Sequence, residues 1–261
     1  MFGERITIGQ RRVKGVWPVL NEPTKSKLFA MKLNGMADAY EEQQNQTKMN
    51  ELTFDERFGL LVERQWLWKE NRALQSRLNY ARLKEKACVE DLDFRDSRGM
   101  KRSLIDQLSA CDWVRHHQNV IVTGPTGTGK TYLACALAHK ACREGYRSLY
   151  FYGPKLFREI TLARVDGSMP KLLKKIAKTQ LLVVDDFGVV KLNDQDYRDL
   201  LEVLDDRQGC GATLITSQFP LNAWHETIPD PTLADAILDR LIHNAHRIEL
   251  KGESMRKRKN K

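Results

Sequence analysis

The apolar residues of this 261-residue chain follow two different periods. From about residue 24 to 112 they recur at helical spacing, and glycine and proline are few, which predicts a run of α-helices. From residue 118 onward, short β-branched runs alternate with amphipathic segments, the pattern of strands followed by helices. The sequence therefore predicts a helical N-terminal domain over 24–112 and an α/β domain over 113–250.

The α/β region contains five short runs that are predicted to be strands. They lie at residues 119–122, 147–152, 181–184, 213–216 and 246–250. The amphipathic patterns between them predict helices at residues 131–143, 155–164, 171–178, 194–207 and 233–244. Strands that alternate with helices form parallel sheets covered on both faces, and such sheets bind ligands at the carboxyl ends of their strands.

The start of one long helix is marked in the first region by a capping box. Thr53 and Glu56 have the spacing at which the two side chains satisfy free amides of a helix start. Phe58, Leu61 and Val62, with Trp66 as a further candidate, would form the buried face of that helix.

The composition points to an anionic partner. The hydrophobic fraction is 41% and the charged fraction 30%, as in ordinary globular proteins, but the net charge is +9. That charge favours nucleic acid or a membrane surface. No apolar run approaches the length needed to cross a bilayer, and the N-terminus lacks a secretory signal, so we expect a cytoplasmic protein. Basic residues mark an N-terminal arm over 1–23 and a C-terminal tail over 251–261.

A complete phosphate-binding loop follows the first predicted strand. Residues 124–131 match G-x-x-x-x-G-K-[ST] at every fixed position, between a β-branched strand and a helix. The glycines let backbone amides turn toward a phosphate, Lys130 would reach the β- and γ-phosphates, and the Thr131 hydroxyl would bind Mg²⁺. The predicted ATP-binding residues are Gly124, Pro125, Thr126, Gly127, Thr128, Gly129, Lys130, Thr131 and the adjoining Tyr132.

Two acids end the predicted strand 181–184. Asp185 would hold the magnesium ion together with Thr131. Asp186 would polarise the attacking water as a general base, although hydrolytic P-loop enzymes often use the longer glutamate there. A simple turn at the strand end is the alternative for this pair.

Four further residues are candidates for contacts with the γ-phosphate. Ser217, with Thr216 close behind, would act as a polar sensor at the end of the fourth strand, and a capping or turn role is the alternative. Arg240, on an amphipathic helix, would neutralise charge on the γ-phosphate of a neighbouring subunit, or else form a surface ion pair with Asp239 or another neighbour. Arg256 is a weaker phosphate-sensing candidate that also fits a plain basic tail.

These motifs together resemble the IstB family, the AAA+ ATP-binding proteins encoded in insertion sequences beside a transposase. The resemblance rests on the segments 123–131, 185–188, 215–218, 237–241 and 252–256 and on the helical N-terminal part, which includes Glu63 and Arg64. It implies an AAA+ core with a five-stranded parallel sheet in the additional-strand order 5-1-4-3-2, a small all-α N-terminal domain and no C-terminal lid. Gln218 stands where the family often has asparagine.

The resemblance further implies an ATPase that self-assembles on double-stranded DNA and stimulates or targets its transposase. Two clusters of cations fit phosphate contacts on DNA, although a solvated helix face is the ordinary alternative for either. The first cluster comprises Arg64, Lys69, Arg72, Arg77, Arg82, Lys84 and Lys86, and the second comprises Lys251, Arg256, Lys257, Arg258, Lys259 and Lys261.

Two other functions share the phosphate-binding loop. A DnaC-type helicase loader would have the same ATPase core and the same pair of acids, so the sequence separates it poorly from a transposition helper. A small-molecule kinase would need a substrate lid and acceptor-binding residues, and the paired acids and Arg240 argue against it.

Overall fold

The computed structural model describes residues 21–46, 49, 51–94 and 99–255. Its contacts divide the chain into two units, residues 1–73 and 74–261. The expected basic arm lies outside the described residues except for 21–23, which begin the first helix. The basic tail beyond Met255, including Arg256, also lies outside them.

The described part of the first unit is helical, as the sequence predicts. Its helices are α1 (Asn21–Ala30), α2 (Asn34–Asn45) and α3 (Phe54–Ala81), the last of which continues into the second unit. The predicted capping box is present, because the Thr53 hydroxyl accepts from the Glu56 amide and Glu56 accepts from the Thr53 amide.

The predicted buried face of α3 is wrong for three of its four residues, while Leu61 is half-buried. The exposed fractions of Phe58, Val62 and Trp66 are 49%, 45% and 61%. Gln65 is buried instead, where its side-chain oxygen accepts from the Met36 amide at 3.1 Å. An apolar row on a helix does not by itself say which neighbour covers it, and in this single chain the aromatic row faces solvent.

The second unit is an α/β sandwich built on five parallel strands. They are β1 (Asn119–Thr123), β2 (Ser148–Tyr152), β3 (Leu181–Phe187), β4 (Ala212–Ser217) and β5 (Ala245–Glu249). The strand order is β2-β3-β4-β1-β5, which is the predicted order 5-1-4-3-2 when it is read from the other edge. β4 thus lies between the strand before the phosphate loop and the strand that carries the two acids.

Eight helices of the described residues surround this sheet. They are α4 (Arg102–Ser109), α5 (Asp112–Arg115), α6 (Lys130–Arg143), α7 (Gly153–Val165), α8 (Met169–Ala177), α9 (Asp194–Arg207), α10 (Trp224–Thr227) and α11 (Pro231–Ile242). Side chains at alternate strand positions point to opposite faces. Val120 and Val122 accordingly pack in one cluster with α4, α5 and α6, whereas Ile121 packs in a second cluster with α7–α11.

The boundary between units differs from the expected one at residue 112. The residues after α3 pack on the sheet: Ala87, Ile105 and Leu108 belong to the cluster that contains α6 and β1. Helical content predicted one domain for the whole range 24–112, but burial of these apolar side chains joins its last third to the α/β core.

In the described part of the chain, no helix is long and apolar enough to cross a membrane.

A buried arginine closes the amino-terminal edge of the sheet. Arg207, at the end of α9, is 2% exposed, and its guanidinium donates to the carbonyls of Ile176 and Thr179 at 2.7 Å and also to that of Ala212. Burial lowers its pKa to about 10, so it stays protonated at neutral pH.

We expect Arg207→Met to lower the free energy of unfolding by about 2–4 kcal/mol, because the substitution leaves buried carbonyls without their donors. Arg198→Met is the matched control, since Arg198 is an exposed residue of the same helix and should change stability by less than about 0.5 kcal/mol. Urea unfolding followed by circular dichroism measures both. Equal midpoints for the two variants would contradict this role of Arg207.

Candidate active site

The carboxyl ends of the five parallel strands meet at one edge of the sheet, and the phosphate loop lies there. The loop leaves β1 at Gly124, whose amide donates to the Ser217 carbonyl of β4 at 3.2 Å. Gly124 has a φ of +144°, and a β-carbon at this position would lie 2.2 Å from the Leu250 carbonyl oxygen. Only glycine lets the loop pass this close to the neighbouring backbone.

The loop then delivers Lys130 and Thr131 to the start of α6. Among the described residues, no side chain caps this helix, whose N-cap is Gly129 in the left-handed conformation. A helix start without a side-chain cap offers its amides and its positive dipole end to an anion. The Lys130 ammonium donates to the carbonyls of Gly124 and Pro125 at 2.8 and 3.0 Å, so it lies inside the loop.

Asp185 is the centre of the hydrogen-bond network beside the loop. Its side chain is 0% exposed, and three hydroxyl groups donate to its carboxylate. Thr131 donates at 3.0 and 2.9 Å to the two oxygens, Tyr150 at 2.7 Å to Oδ2, and Thr216 at 2.6 Å to Oδ1. Burial, followed by the hydrogen bond to Asp185, raises the pKa of the Tyr150 phenol far above its usual range, so Tyr150 remains a donor.

The donor set at Asp185 fits a magnesium ion. A buried carboxylate and a threonine hydroxyl within 3.0 Å of each other supply the hard oxygen ligands that Mg²⁺ prefers. The predicted metal residues Thr131 and Asp185 are therefore brought together, and water would complete the coordination of a bound ion.

A bulge in β3 explains how two consecutive acids take different positions. Between Val184 and Phe187 the register with β4 shifts, so that Asp185 and Asp186 both lie opposite Thr216. The Thr216 hydroxyl accepts from the Asp186 amide at 2.9 Å while it donates to Asp185. Asp186 has a φ of +56°, a strained left-handed conformation, and its side chain is half-buried beside a cavity of about 460 Å³.

Strain of this kind persists where the surrounding structure enforces it, and such residues cluster at functional sites. Here the bulge separates a buried carboxylate that faces Thr131 from a second carboxylate that reaches solvent.

The hydroxyl of Ser217, the sensor residue predicted from the sequence, is hydrogen-bonded to the backbone at the end of β3 and after β4. Ser217 is buried, and its hydroxyl donates to the Phe187 carbonyl at 2.9 Å and accepts from the Phe219 amide at 3.2 Å. This is the turn role given above as its alternative. The next residue contacts the loop instead: the Gln218 side-chain oxygen accepts from the Thr126 hydroxyl at 2.7 Å.

The C-terminal residues of the described chain also lie on the phosphate loop. The Met255 amide donates to the Gly127 carbonyl at 2.9 Å, and a β-carbon at position 127 would lie 2.2 Å from the Ser254 hydroxyl oxygen. The following residue, Arg256, is outside the described residues, so its phosphate-sensing role stays a prediction.

Tyr132 lies one residue beyond the loop, on α6. Its hydroxyl is hydrogen-bonded with the backbone of Cys88, and its ring packs on the same apolar cluster as Val89 and Leu92. Burial raises the pKa of its phenol. Tyr132 thus joins the start of α6 to the segment that precedes α4.

Arg240 lies at the opposite end of the sheet from the loop. Its carbonyl accepts from the Asn119 side chain at 2.9 Å, and Asn119 is the first residue of β1, whereas the loop follows the last. Five strand residues separate the two ends by about 16 Å. The Arg240 guanidinium forms an ion pair with Asp205 of α9 and donates to the Ala236 carbonyl at 2.8 Å. Within one chain, Arg240 is therefore an ion-pair partner of Asp205.

Sequence reasoning missed Tyr150 and Gln218. The signal for Tyr150 was its place on β2, because β2 lies beside β3 and its alternate residues share the face of Asp185. Gln218 was visible only as the residue where the family often has asparagine. Gln218 directly follows Ser217, and its side chain, not that of Ser217, is hydrogen-bonded to Thr126 of the loop.

Relatives of this chain carry names from mobile elements. A Sinorhizobium fredii (strain NBRC 101917 / NGR234) protein named as an insertion-sequence ATP-binding protein is 48% identical over 239 residues, which cover 92% of this chain and 98% of the relative. A Pseudomonas fluorescens protein named as an ATP-binding protein of insertion sequence IS1162 is 43% identical, and the match covers 77% of this chain and 88% of that protein.

Solved structures share the AAA+ core. The crystal structure of DnaI is 25% identical with a TM-score of 0.55, covering 65% of this chain and 90% of that one. The DnaC helicase loader is 18% identical with a TM-score of 0.53, covering 63% and 97%, a likeness that establishes the fold alone. The family described as IstB-like ATP binding protein matches residues 26–261, and this chain belongs to that family.

Proposed function

We propose that this chain hydrolyses ATP with magnesium and acts as a helper of insertion-sequence transposition in the bacterial cytoplasm. In this role it assembles on double-stranded DNA and stimulates or targets a transposase. The observation that carries the ATPase part is the buried Asp185 carboxylate, held within 3.0 Å of the Thr131 hydroxyl beside a complete phosphate loop. The role in transposition rests on the family and on the insertion-sequence names of its relatives.

Different residues of the loop would bind different parts of ATP and its magnesium ion. The amides at the start of α6 would hold the β- and γ-phosphates, and Lys130 would exchange its two loop carbonyls for phosphate oxygens. Thr131 and Asp185 would hold magnesium, which when bound neutralises charge on the phosphate oxygens. Gln218 is hydrogen-bonded to Thr126 of the loop, so its side chain would respond to a γ-phosphate bound there.

Asp186 would take a proton from the attacking water. At the bulge its backbone has a left-handed φ of +56°, and its side chain lines the cavity of about 460 Å³. A base must lie within hydrogen-bond reach of the water, which a residue on the solvent side of the metal-binding carboxylate can achieve.

Arg240 would complete the site of a neighbouring subunit. The loop and Arg240 lie at opposite ends of the sheet, so a head-to-tail contact between two copies is the arrangement that can join them. The exposed aromatic row Phe54, Phe58 and Trp66 on α3 supports self-association, because exposed apolar patches mark interaction surfaces.

Part of the predicted basic cluster remains available for DNA. Arg64 forms an ion pair with Glu42, and Arg77 donates to the Cys142 carbonyl. Lys69, Arg72 and Lys86 are exposed, and Arg72 lies over the Trp68 ring at 5.0 Å. Exposed cations on and just beyond α3 support contacts with DNA phosphates.

A helicase loader remains the alternative that the shared core allows. Relatives that are 43–48% identical carry insertion-sequence names, whereas the DnaC likeness is 18% and concerns the fold. We therefore place transposition first.

We expect Asp186→Asn to bind a fluorescent ATP analogue as the wild type does but to hydrolyse ATP at least about 100-fold more slowly, because a general base is worth about 10²–10⁴ in rate. Lys130→Ala should lose the binding itself. Glu159→Gln is the matched control, since Glu159 lines the same cavity as Asp186 and should keep wild-type turnover. Wild-type hydrolysis by Asp186→Asn would remove Asp186 from the mechanism.

We expect Arg240→Ala to bind ATP in each subunit but to lose turnover in the assembly. A 1:1 mixture of Arg240→Ala with Asp186→Asn should recover about a quarter of wild-type activity, the share of head-to-tail contacts with both groups intact. Phosphate release measured across mixing ratios gives the recovery. If the mixture is no more active than the two variants measured separately, Arg240 does not act across subunits.

We expect ATP to increase oligomer size and DNA affinity together, as measured by sedimentation and by fluorescence anisotropy with duplex DNA. Replacing Lys69 and Arg72 with alanine should flatten the slope of log affinity against log salt by about two, because each lost phosphate contact removes about 0.9. The control is Lys140→Ala, whose ammonium pairs with Glu144 on α6. A monomer whose DNA binding ignores nucleotide would contradict the proposed assembly.

A further inference from the structure

One cation approaches the buried Asp185 carboxylate from outside the phosphate loop. The Lys84 ammonium lies 3.9 Å from Asp185 Oδ2, the oxygen to which Tyr150 also donates. The Lys84 side chain is 45% exposed while Asp185 is 0% exposed. A lysine that reaches from solvent to the carboxylate expected to bind magnesium is not part of the phosphate-loop motif.

The backbone around Lys84 is anchored, so only its side chain is free to change place. Leu83 packs on the apolar cluster of the sheet, and Ala87 is buried in it. The backbone of Lys84 and Glu85 lies against the Cys135 thiol of α6, whose pKa burial raises. The linker after α3 thus presents one long flexible side chain to the metal site.

The contact itself has the geometry of a displaceable ion pair. A separation of 3.9 Å is too long for a direct hydrogen bond, whereas three hydroxyls already donate to the carboxylate at 2.6–3.0 Å. The ammonium also lies 5.4 Å from the centre of the Tyr152 ring. Asp185 would therefore keep its hydrogen bonds if Lys84 moved away.

The cavity beside Asp186 offers the Lys84 ammonium a second position next to its contact with Asp185. Lys84 lines the cavity of about 460 Å³ that is also lined by Glu159 and Asp186, so carboxylates other than Asp185 face the same space. A lysine ammonium and a divalent cation within about 4 Å of one carboxylate repel each other. Occupation of the metal site would therefore drive Lys84 toward that cavity.

We propose that Lys84 is a mobile counter-cation of the metal site: it neutralises Asp185 when magnesium is absent and is displaced when magnesium binds. The inference rests on the proposed function, since it assumes that Asp185 holds magnesium with ATP. Lys84 competes with the metal and thereby sets the magnesium concentration at which the site fills. Because Lys84 lies three residues beyond the end of α3, binding of magnesium would also change the position of a side chain in the segment that follows this helix.

The test is a magnesium titration of Lys84→Met, with a fluorescent non-hydrolysable ATP analogue as the probe. Removal of the competing cation should lower the half-saturating magnesium concentration roughly 5–10-fold. Lys84→Arg keeps the charge and should stay within about twofold of the wild type. Lys155→Met is the matched control, because Lys155 lines the same cavity and its removal also deletes one positive charge.

A titration in EDTA separates competition from general electrostatics. Loss of a cation near the phosphates would weaken metal-free binding of the analogue, whereas competition predicts tighter magnesium binding, so the two effects have opposite signs. Lys84→Gln provides a second variant should the methionine variant fail to fold.

The possible results distinguish a failure of the role of Lys84 from a failure of the proposed ATPase function. An unchanged or raised magnesium requirement in Lys84→Met or Lys84→Gln, with normal magnesium-dependent binding in the wild type, overturns the role of Lys84 and leaves the proposed function intact. A wild-type protein that binds no analogue even with magnesium overturns the proposed function itself. An equal effect of Lys155→Met would show that the cavity's charge, and not the contact with Asp185, is responsible.

Discussion

The burial of one carboxylate constrains the whole nucleotide site. A charge that loses all contact with water is costly unless other groups replace its hydration, and three hydroxyls from three different elements do so for Asp185. Tyr150 comes from β2, Thr216 from β4 and Thr131 from α6, so each bond also fixes one neighbour of β3. The strand order of the sheet and the geometry of the phosphate loop are thus tied to a single buried side chain.

The same network explains which parts of the site could be predicted. The phosphate loop and Asp185 are local in sequence: a strand, a motif and a helix suffice to identify them, and the sheet order follows from the class of ATPase. The partners of Asp185 are not local, since Tyr150 precedes it by 35 residues and Thr216 follows it by 31. Ser217 and Thr216 were the predicted sensor residues, and Gln218 was not considered, because the sequence does not reveal which strand-end side chain contacts the phosphate loop.

The exposed row on α3 marks another limit of sequence reasoning, and it concerns assembly. Periodicity correctly gave a helix with an apolar face but could not say whether that face is covered within the chain or by a second molecule. Arg240 raises the same question at the other unit, because its interpretation as a γ-phosphate contact needs a neighbouring copy while its ion pair with Asp205 does not. In both cases the sequence of one chain does not specify which surfaces a second molecule would cover.

The bulge in β3 gives the two consecutive acids different surroundings. If β3 continued regularly, Asp185 and Asp186 would point to opposite faces of the sheet, because the side chains of a strand alternate between its faces. Because of the extra residue, the Thr216 hydroxyl contacts both acids. It donates to the carboxylate of Asp185 and accepts from the backbone amide of Asp186. One hydroxyl therefore contacts both the carboxylate that would bind magnesium and the backbone of the residue that would activate water.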